Sequence, residues 1–316
     1  MSGPDAANIG SRVSMLIRND DGSHRELIGR LVETTRVVKK DMTEITFDPA
    51  QVIAWRLVPE QPERKPTSSR IREIERAGAA TWPAAETANL GGWILRASDG
   101  FSQRANSVLP IGAPPFGEPS GDLSEALKEV VDFYRSRNLT PRIHVPLPSY
   151  EALNVALNEE GWLSSTPVSV QVCALERLIG ASNHDVAVTE TPDEEWLTLF
   201  PVPLGRDGLA VLTGGGAFFA KIRQPDQETG ELVVAAIGRA AVFDGWCGIA
   251  ALNTDEKFQR KGTAQSIVRA LAQHAARLGA TRVFLQVSAD NAPALALYER
   301  LDFKEHHTYQ YRSLER

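Results

Sequence analysis

Residues 248–264 read Gly-Ile-Ala-Ala-Leu-Asn-Thr-Asp-Glu-Lys-Phe-Gln-Arg-Lys-Gly-Thr-Ala, which is typical of a strand that runs into a short loop and then into a helix. The loop combines two cations with small residues: Gln259, Arg260, Lys261, Gly262, Thr263 and Ala264. Small side chains let a ligand approach the backbone closely. We expect the backbone N–H groups of the loop to face outward at the start of the helix, where the helix dipole adds positive charge. The stretch therefore predicts a cradle for a pyrophosphate group.

An amphipathic helix is predicted directly after this loop, over residues 264–278. Its apolar face consists of residues at helical spacing: Ile267, Leu271, His274 and Leu278. We expect that face to pack on a sheet, which would hold the loop rigidly. His274 is accordingly expected to pack rather than to take part in chemistry.

A second motif lies downstream, where residues 287–303 read Val-Ser-Ala-Asp-Asn-Ala-Pro-Ala-Leu-Ala-Leu-Tyr-Glu-Arg-Leu-Asp-Phe. Together with the Gln-x-x-Gly-x-Ala loop, in this order and separation, it resembles the GNAT superfamily of acetyltransferases. The resemblance is close over residues 245–312. Asp302 stands where the family usually has glycine, and aspartate tolerates left-handed backbone geometry better than most residues.

The resemblance implies a cofactor, acetyl-CoA, and roles for individual residues. Acetyl-CoA would lie in a V-shaped opening between the strand that ends at Thr254 and the strand that starts at Arg282. Backbone groups of Leu252 and Thr254 would hold the pantetheine arm and polarise the thioester carbonyl. Asn291 and Tyr298 would lie near the sulfur, with Tyr298 as the general acid that protonates the leaving thiolate.

The general base is not identified by the sequence. Three carboxylates lie on or beside the relevant strands: Glu231, Asp244 and Glu256. Each is more typical of a solvated surface charge, and a chain of waters is an alternative. His306 and His307 are adjacent, but no third ligand has suitable spacing, so no metal site is predicted.

Composition limits the possible partners. The 316 residues carry a formal net charge of −6, which disfavours a nucleic-acid partner. No basic segment followed by an apolar run opens the chain, and no apolar stretch reaches membrane-spanning length, so we expect a cytoplasmic protein with no membrane partner. The two cysteines, Cys173 and Cys247, are expected to be buried small hydrophobes.

The N-terminal region, residues 1–60, is predicted to form a small SH3-like β-barrel. Short strands are expected at residues 12–18, 26–34, 37–40, 44–47 and 52–57, and the Asn-Asp-Asp-Gly sequence at residues 19–22 is a strong hairpin signal. A polar linker with two prolines follows over residues 60–69.

The remainder reads as two copies of one α/β unit, over residues 61–180 and 181–316. In each copy a strand, a helix and a strand led by an aromatic residue follow one another at similar spacing. The first copy has a segment with four prolines, residues 110–121, where the phosphate loop should be. Proline offers no N–H donor. The predicted fold class is therefore α/β, with tandem GNAT-like units, of which the first is degenerate, preceded by the barrel.

Arginines are the candidate acceptor-binding residues. Arg96 and Arg104 are predicted on adjacent strands, at residues 92–97 and 103–109, and Arg223 and Arg239 fall in the second unit. Arginine grips a carboxylate with two parallel hydrogen bonds. The alternative is that these arginines are surface charges.

The layout, together with Gly-Gly-Trp-Ile-Leu-Arg at residues 91–96 and Arg-Ala-Asn-Ser-Val at residues 104–108, resembles an actinobacterial GNAT group. That group includes short N-acetylglutamate synthases of arginine biosynthesis, so the resemblance implies a small-molecule amine acceptor, L-glutamate. Three alternatives stay open: a mycothiol-synthase-like enzyme, a protein or peptide N-acetyltransferase, and a non-catalytic acyl-CoA-binding sensor. The sequence does not indicate the oligomeric state.

Overall fold

A computed structural model describes residues 3–58 and 66–315 of the chain. Most of the predicted linker, residues 60–65, lies outside the described residues. Where the description resumes, Thr67 caps the first long helix, since its hydroxyl accepts a hydrogen bond from the Arg70 backbone N–H. Within the described ranges, no helix is both long and apolar enough to cross a membrane.

The N-terminal region forms a five-stranded antiparallel sheet. Its strands are β1 (Arg12–Arg18), β2 (His24–Glu33), β3 (Arg36–Val38), β4 (Glu44–Thr46) and β5 (Val52–Leu57), in the order β4-β3-β2-β1-β5. Alternating residues such as Val13, Met15 and Ile17 are buried, as expected for a sheet with one face on a core. The five predicted strands are confirmed, whereas the SH3-like barrel stays a prediction.

The first α/β half begins with α1 (Ser68–Thr81) and continues through a small sheet of three strands. The further elements are β6 (Glu86–Leu90), β7 (Trp93–Ala97), β8 (Leu109–Pro110), α2 (Leu123–Arg135), β9 (Arg142–Leu147), α3 (Glu151–Glu159), β10 (Leu163–Ser164) and β11 (Val168–Ala174). Strands β6, β7 and β8 form the small sheet.

The strand predicted at residues 103–109 is wrong over residues 103–107, whereas Val108 forms a β-bridge with Ile143 and Leu109 lies in β8. The Asn106 side chain accepts hydrogen bonds from the backbone N–H groups of Ser98 and Gly100, and its amide donates to the carbonyls of Phe101 and Ser102. These bonds fold the segment into compact turns. Arg104 therefore lies in a turn and not on a strand beside Arg96.

The second α/β half holds the long strands of the molecule. Its elements are β12 (Ala187–Thr189), α4 (Glu194–Thr198), α5 (Gly208–Thr213), β13 (Phe218–Pro225), β14 (Leu232–Phe243), β15 (Trp246–Thr254), α6 (Thr263–Arg277), β16 (Arg282–Ser288), α7 (Ala292–Arg300) and β17 (Lys304–Ser313).

One large sheet joins the two halves. It runs from β12 through β13, β14, β15 and β16 to β11 and β17, and β9 pairs with the other edge of β17. Strand β11 of the first half thus lies between two strands of the second half, paired antiparallel with both. The boundary predicted at residue 180 divides the sequence but not the sheet.

Two helices cover opposite faces of this sheet. Ile267 and Leu271 of α6 are fully buried against a core that includes Val283 and Leu285. Ile74 and Ala77 of α1 pack on the other face. The apolar face predicted for α6 is wrong at its end, because Leu278 forms the C-cap and is 54% exposed.

Candidate active site

A cleft opens where β15 and β16 separate. The two strands pair in parallel from Trp246 and Arg282 as far as Ile249 and Leu285, and the pairing ends there. Beyond that point lies a cleft of about 810 Å³, lined by both strands, by the start of α6 and by α7 along its length. A bulge in β15 contributes to it: Ala251 has a left-handed φ of 53°, and the register with β14 shifts there. A bulge of this kind re-aims backbone and side-chain groups.

The loop before α6 presents unpaired backbone donors to the cleft. Arg260 and Gly262 both have left-handed backbones, with φ of 58° and 81°. The N–H groups from Arg260 to Gln265 have no hydrogen-bond acceptor among the residues that the structure describes. Gly262 is the N-cap of α6, and no side chain caps the helix. Successive donors in alternating conformations form an anion-binding concavity, so this loop fits a pyrophosphate.

Most of the residues predicted to hold the cofactor line this one cleft. They are Leu252, Thr254, Gln259, Arg260, Gly262, Thr263, Ala264 and Asn291. Lys261 does not line it; its Nζ lies 5.2 Å from the centre of the Phe258 ring. Asn291 is the N-cap of α7, where its Oδ1 accepts a hydrogen bond from the Ala294 N–H at 3.2 Å. The structure thus brings the two motifs of the sequence together, and the contacts of each residue with the cofactor stay predictions.

Tyr298, the predicted general acid, lies in the wall of the cleft. It is 8% exposed, and burial raises its pKa to about 12. None of the described residues hydrogen-bonds to its hydroxyl. The phenol therefore keeps its proton at neutral pH and is available as a proton donor to whatever occupies the cleft.

Comparisons with known proteins agree with this geometry. The family described as "Probable histone acetyltransferase Rv0428c C-terminal" matches residues 68–312. The chain belongs to this family of GNAT N-acetyltransferases. It is 30% identical, over 96% of its length and 94% of the relative's, to "Probable histone acetyltransferase Rv0428c" of Mycobacterium tuberculosis. It is also 30% identical to "Uncharacterized N-acetyltransferase YobR" of Bacillus subtilis, over 75% of this chain and 97% of YobR.

A solved structure, a GCN5-related N-acetyltransferase from Kribbella flavida, has the same fold as this acetyltransferase. The TM-score is 0.57 at 15% identity, and the match covers 77% of this chain and 95% of that one. The family match begins at α1 and spans both α/β halves, in line with the sheet that they share.

Two of the arginines predicted to bind the acceptor flank one tryptophan in the folded chain. The guanidinium carbons of Arg104 and Arg239 lie 5.4 and 4.8 Å from the centre of the Trp82 ring. Arg239 is buried and pairs across the strands with Ala250, which lines the cleft. Its guanidinium donates to the carbonyls of Leu212 and Gly214, and burial followed by repulsion from Arg104 lowers its pKa to about 9.

Arg104 is half-buried and carries an uncompensated charge. No carboxylate pairs with it among the described residues, and its Nε is buried without a hydrogen-bond partner. Burial raises the pKa of Tyr309, and the positive charge of Arg104 opposes that rise. Arg104 comes from the first half of the chain and Arg239 from the second, so the two halves meet at Trp82.

The other two predicted arginines have partners inside the protein. Arg96 is buried, and its guanidinium donates to the carbonyl and hydroxyl oxygens of Ser107, both at 2.9 Å. Arg223 is exposed and forms an ion pair with Glu195 at 3.3 Å. Neither lines the cleft, and Arg104 and Arg239 are also absent from its lining.

The candidate bases do not reach the cleft. All three carboxylates are exposed and absent from its lining: Glu231, Asp244 and Glu256. His274 packs against the Phe218 ring, with 4.6 Å between the ring centres. No cluster that could hold a metal ion occurs within residues 3–58 and 66–315.

Three residues at or beside the cleft were missed by the sequence analysis. Arg300 and Gln286 line it. His184 lies beside the cradle, where its Nδ1 is 3.0 Å from the Ser266 hydroxyl. His184 and Arg300 belong to no sequence motif. Gln286 is a polar residue within a largely apolar strand, and this break in the hydrophobic pattern was the one signal in the sequence that pointed to it.

Proposed function

We propose that this acetyltransferase transfers the acetyl group of acetyl-CoA to the amine of a small acceptor that carries carboxylates, with L-glutamate as the acceptor. The observation that supports this is the charge of Arg104. A half-buried cation without a carboxylate partner is costly unless a ligand supplies the anion. Arg104 rests on Trp82 beside a second cation, Arg239, whose cross-strand partner Ala250 lines the cleft.

Bound acetyl-CoA supplies the acetyl group. The free N–H groups before α6 hold its pyrophosphate, and the backbone of Leu252 and Thr254 holds the pantetheine arm. Tyr298 donates its proton to the departing sulfur. The acceptor ammonium loses a proton before attack, and because Glu231, Asp244 and Glu256 do not line the cleft, water takes that proton.

The finer family assignment also belongs to the proposal. The first half is a degenerate GNAT-like unit, and the N-terminal sheet is an SH3-like barrel, for which the five short strands are the support. The enzyme is then an N-acetylglutamate synthase of arginine biosynthesis.

Acetylation of a lysine in a basic protein is the second candidate. The name of the Mycobacterium tuberculosis relative favours it. The net charge of −6 also favours it, since an acidic protein attracts basic chains. The charge of Arg104, which has no carboxylate partner among the described residues, argues against it if the acceptor binds near Trp82, because a basic acceptor would meet a like charge.

A CoA-release assay separates the candidates. The acceptors are L-glutamate, L-glutamine, L-aspartate, L-lysine and a histone-tail peptide at equal concentrations. We expect kcat/KM for glutamate to exceed that for glutamine by about 10-fold or more, since glutamine lacks the charge that pairs with arginine. Equal rates for the two, or faster acetylation of the peptide, would remove the glutamate assignment and leave the acetyltransferase activity.

A further inference from the structure

Gln286 lies at the apex of the cleft, on the face of the sheet that α1 covers. It is the first β16 residue beyond Leu285, the last one paired with β15. Leu285 and Val287 belong to the core under α6, so the alternation of a strand directs Gln286 to the opposite face. There its Nε2 lies close to Gly78 of α1: a Cβ atom added to Gly78 would be 3.3 Å from it.

A buried tyrosine orients this carboxamide. The Tyr309 hydroxyl donates a hydrogen bond to Gln286 Oε1 at 3.2 Å. Burial raises the pKa of Tyr309 well above its usual value, so the hydroxyl stays a donor. A carbonyl oxygen has two lone pairs, and Tyr309 occupies only one. The second lone pair of Oε1 has no donor among the described residues.

Behind Tyr309 lies a cluster of buried titratable side chains that both halves of the chain build. The His144 ring stacks on the Tyr309 ring, with 3.8 Å between centres. His144 Nε2 is 3.2 Å from one oxygen of Glu75, and His307 Nε2 is 2.9 Å from the other. Glu75 is only 2% exposed. Burial opposes its ionisation, yet His144 and His307 together hold its pKa well below the usual value.

Stability alone does not explain such a cluster. Buried ion pairs are often replaced by apolar residues of similar shape with no loss of stability. Buried titratable groups beside a cleft are, in contrast, typical of functional sites. Glu75 and His144 come from α1 and β9 of the first half, and Tyr309 and His307 come from β17 of the second.

We propose that Gln286 accepts a hydrogen bond from the acceptor amine and orients its nitrogen at the apex, and that Tyr309 and Glu75 are positioning residues that hold Gln286 in place. The proposal rests on the acetyltransferase activity and not on glutamate as the acceptor. A carboxamide takes no proton, so the role of Gln286 is orientation, and the Glu75–His144 pair restrains the Tyr309 ring from behind.

The test uses the full-length enzyme with L-glutamate and, in parallel, a lysine-bearing histone-tail peptide. Gln286→Met keeps the length of the side chain and removes the acceptor oxygen. We expect kcat/KM for the amine to fall by about 10- to 100-fold, the range for losing a buried hydrogen bond, with the acetyl-CoA Kd unchanged. Tyr309→Phe should give a smaller fall, seen mainly in the acceptor KM. Gln171→Met is the matched control, because Gln171 is buried in the same sheet and does not line the cleft.

Gln286→Glu supplies a readout that a purely structural role would not move. A carboxylate at the apex titrates, so the pH profile of kcat/KM should gain a limb that wild type lacks. If the wild-type enzyme acetylates the peptide but not L-glutamate, the proposed acceptor is wrong and the role of Gln286 is still testable with the peptide. The inference is overturned if Gln286→Met and Gln286→Glu keep wild-type kcat/KM and pH profile with the acceptor that wild type acetylates, or if Gln171→Met loses as much activity.

Discussion

The two α/β halves differ most at the start of the helix that follows their central strands. Helix α2 of the first half is closed by its own carboxylates: Asp122 accepts a hydrogen bond from the Glu125 N–H at 2.9 Å, and Glu125 reaches back to the Asp122 N–H. Helix α6 of the second half begins at Gly262, with no side-chain cap and no acidic residue in its first turn. A helix start binds an external anion only where its own sequence leaves the donors free.

The segments before these two helices also differ, because the one before α2 is packed against protein and the one before α6 faces a cleft. In the first half, residues 110–121 pack tightly on their surroundings: a Cβ on Gly92 would lie 2.3 Å from the Gly117 carbonyl oxygen. The Trp93 indole also donates to the carbonyl of Phe116 at 2.7 Å. Residues 110–121 are therefore held against Gly92 and Trp93 and do not form an open loop. The comparison predicts that the second half holds acetyl-CoA and that the first half helps to recognise the acceptor.

The largest effect is expected from Gly262→Asp. The substitution places a side chain at a φ of 81°, adds a negative charge to the cradle and gives α6 the kind of carboxylate cap that α2 has. We expect acetyl-CoA affinity to fall by more than about 100-fold, because a like charge would meet the pyrophosphate in a site built from donors. Isothermal titration calorimetry measures the affinity, and circular dichroism checks the fold. An unchanged Kd in a folded variant would place the cradle elsewhere.

Arg104→Gln tests the contribution of the first half. It removes a charge that has no carboxylate partner among the described residues and that, in the proposed function, pairs with a carboxylate of glutamate. We therefore expect kcat/KM for glutamate to fall by about 10- to 100-fold and the acetyl-CoA Kd to stay the same. Arg223→Gln is the control, since Arg223 is exposed and pairs with Glu195. Steady-state kinetics with each substrate varied separates the two affinities. A loss of acetyl-CoA binding in Arg104→Gln would contradict the division between the halves.

Tyr298→Phe tests the second half at the reaction itself. The ring keeps its place beside Phe303, and only the hydroxyl is removed. Proton transfer from a positioned acid contributes roughly 100- to 10,000-fold, and water substitutes in part, so we expect kcat to fall by at least about 10-fold. Acetyl-CoA affinity should change little. If Tyr298→Phe keeps the kcat of wild type, Tyr298 is a core residue and not the general acid.

How far the sequence predicts this molecule depends on how local each feature is. The loop at residues 259–264 and the strands of the N-terminal sheet follow from short patterns, and both are present. The insertion of β11 between β16 and β17 is a pairing over more than a hundred residues, which local periodicity does not encode.

The candidate site divides in the same way. Its cofactor side rests on two contiguous motifs, and the structure places both on one cleft. The acceptor side that we propose is assembled from distant segments, so that Trp82, Arg104 and Arg239 meet only in the folded chain. The predicted pairing of Arg96 with Arg104 failed because hydrogen bonds of one side chain, Asn106, turned a predicted strand into turns.

The smallest effect is expected from Asp122→Ala, which opens the helix start of the first half. Losing an N-cap costs about 1 kcal/mol of unfolding free energy, and urea denaturation measures it. The variant frees donors at α2 but leaves residues 110–121 packed against Gly92 and Trp93, so no open loop forms before the helix. Calorimetry should therefore find the same single acetyl-CoA equivalent and the same Kd as in wild type. If a second equivalent binds to Asp122→Ala, the capping carboxylates alone separate the two halves, and the packed segment before α2 is not needed to explain why the first half lacks a cofactor site.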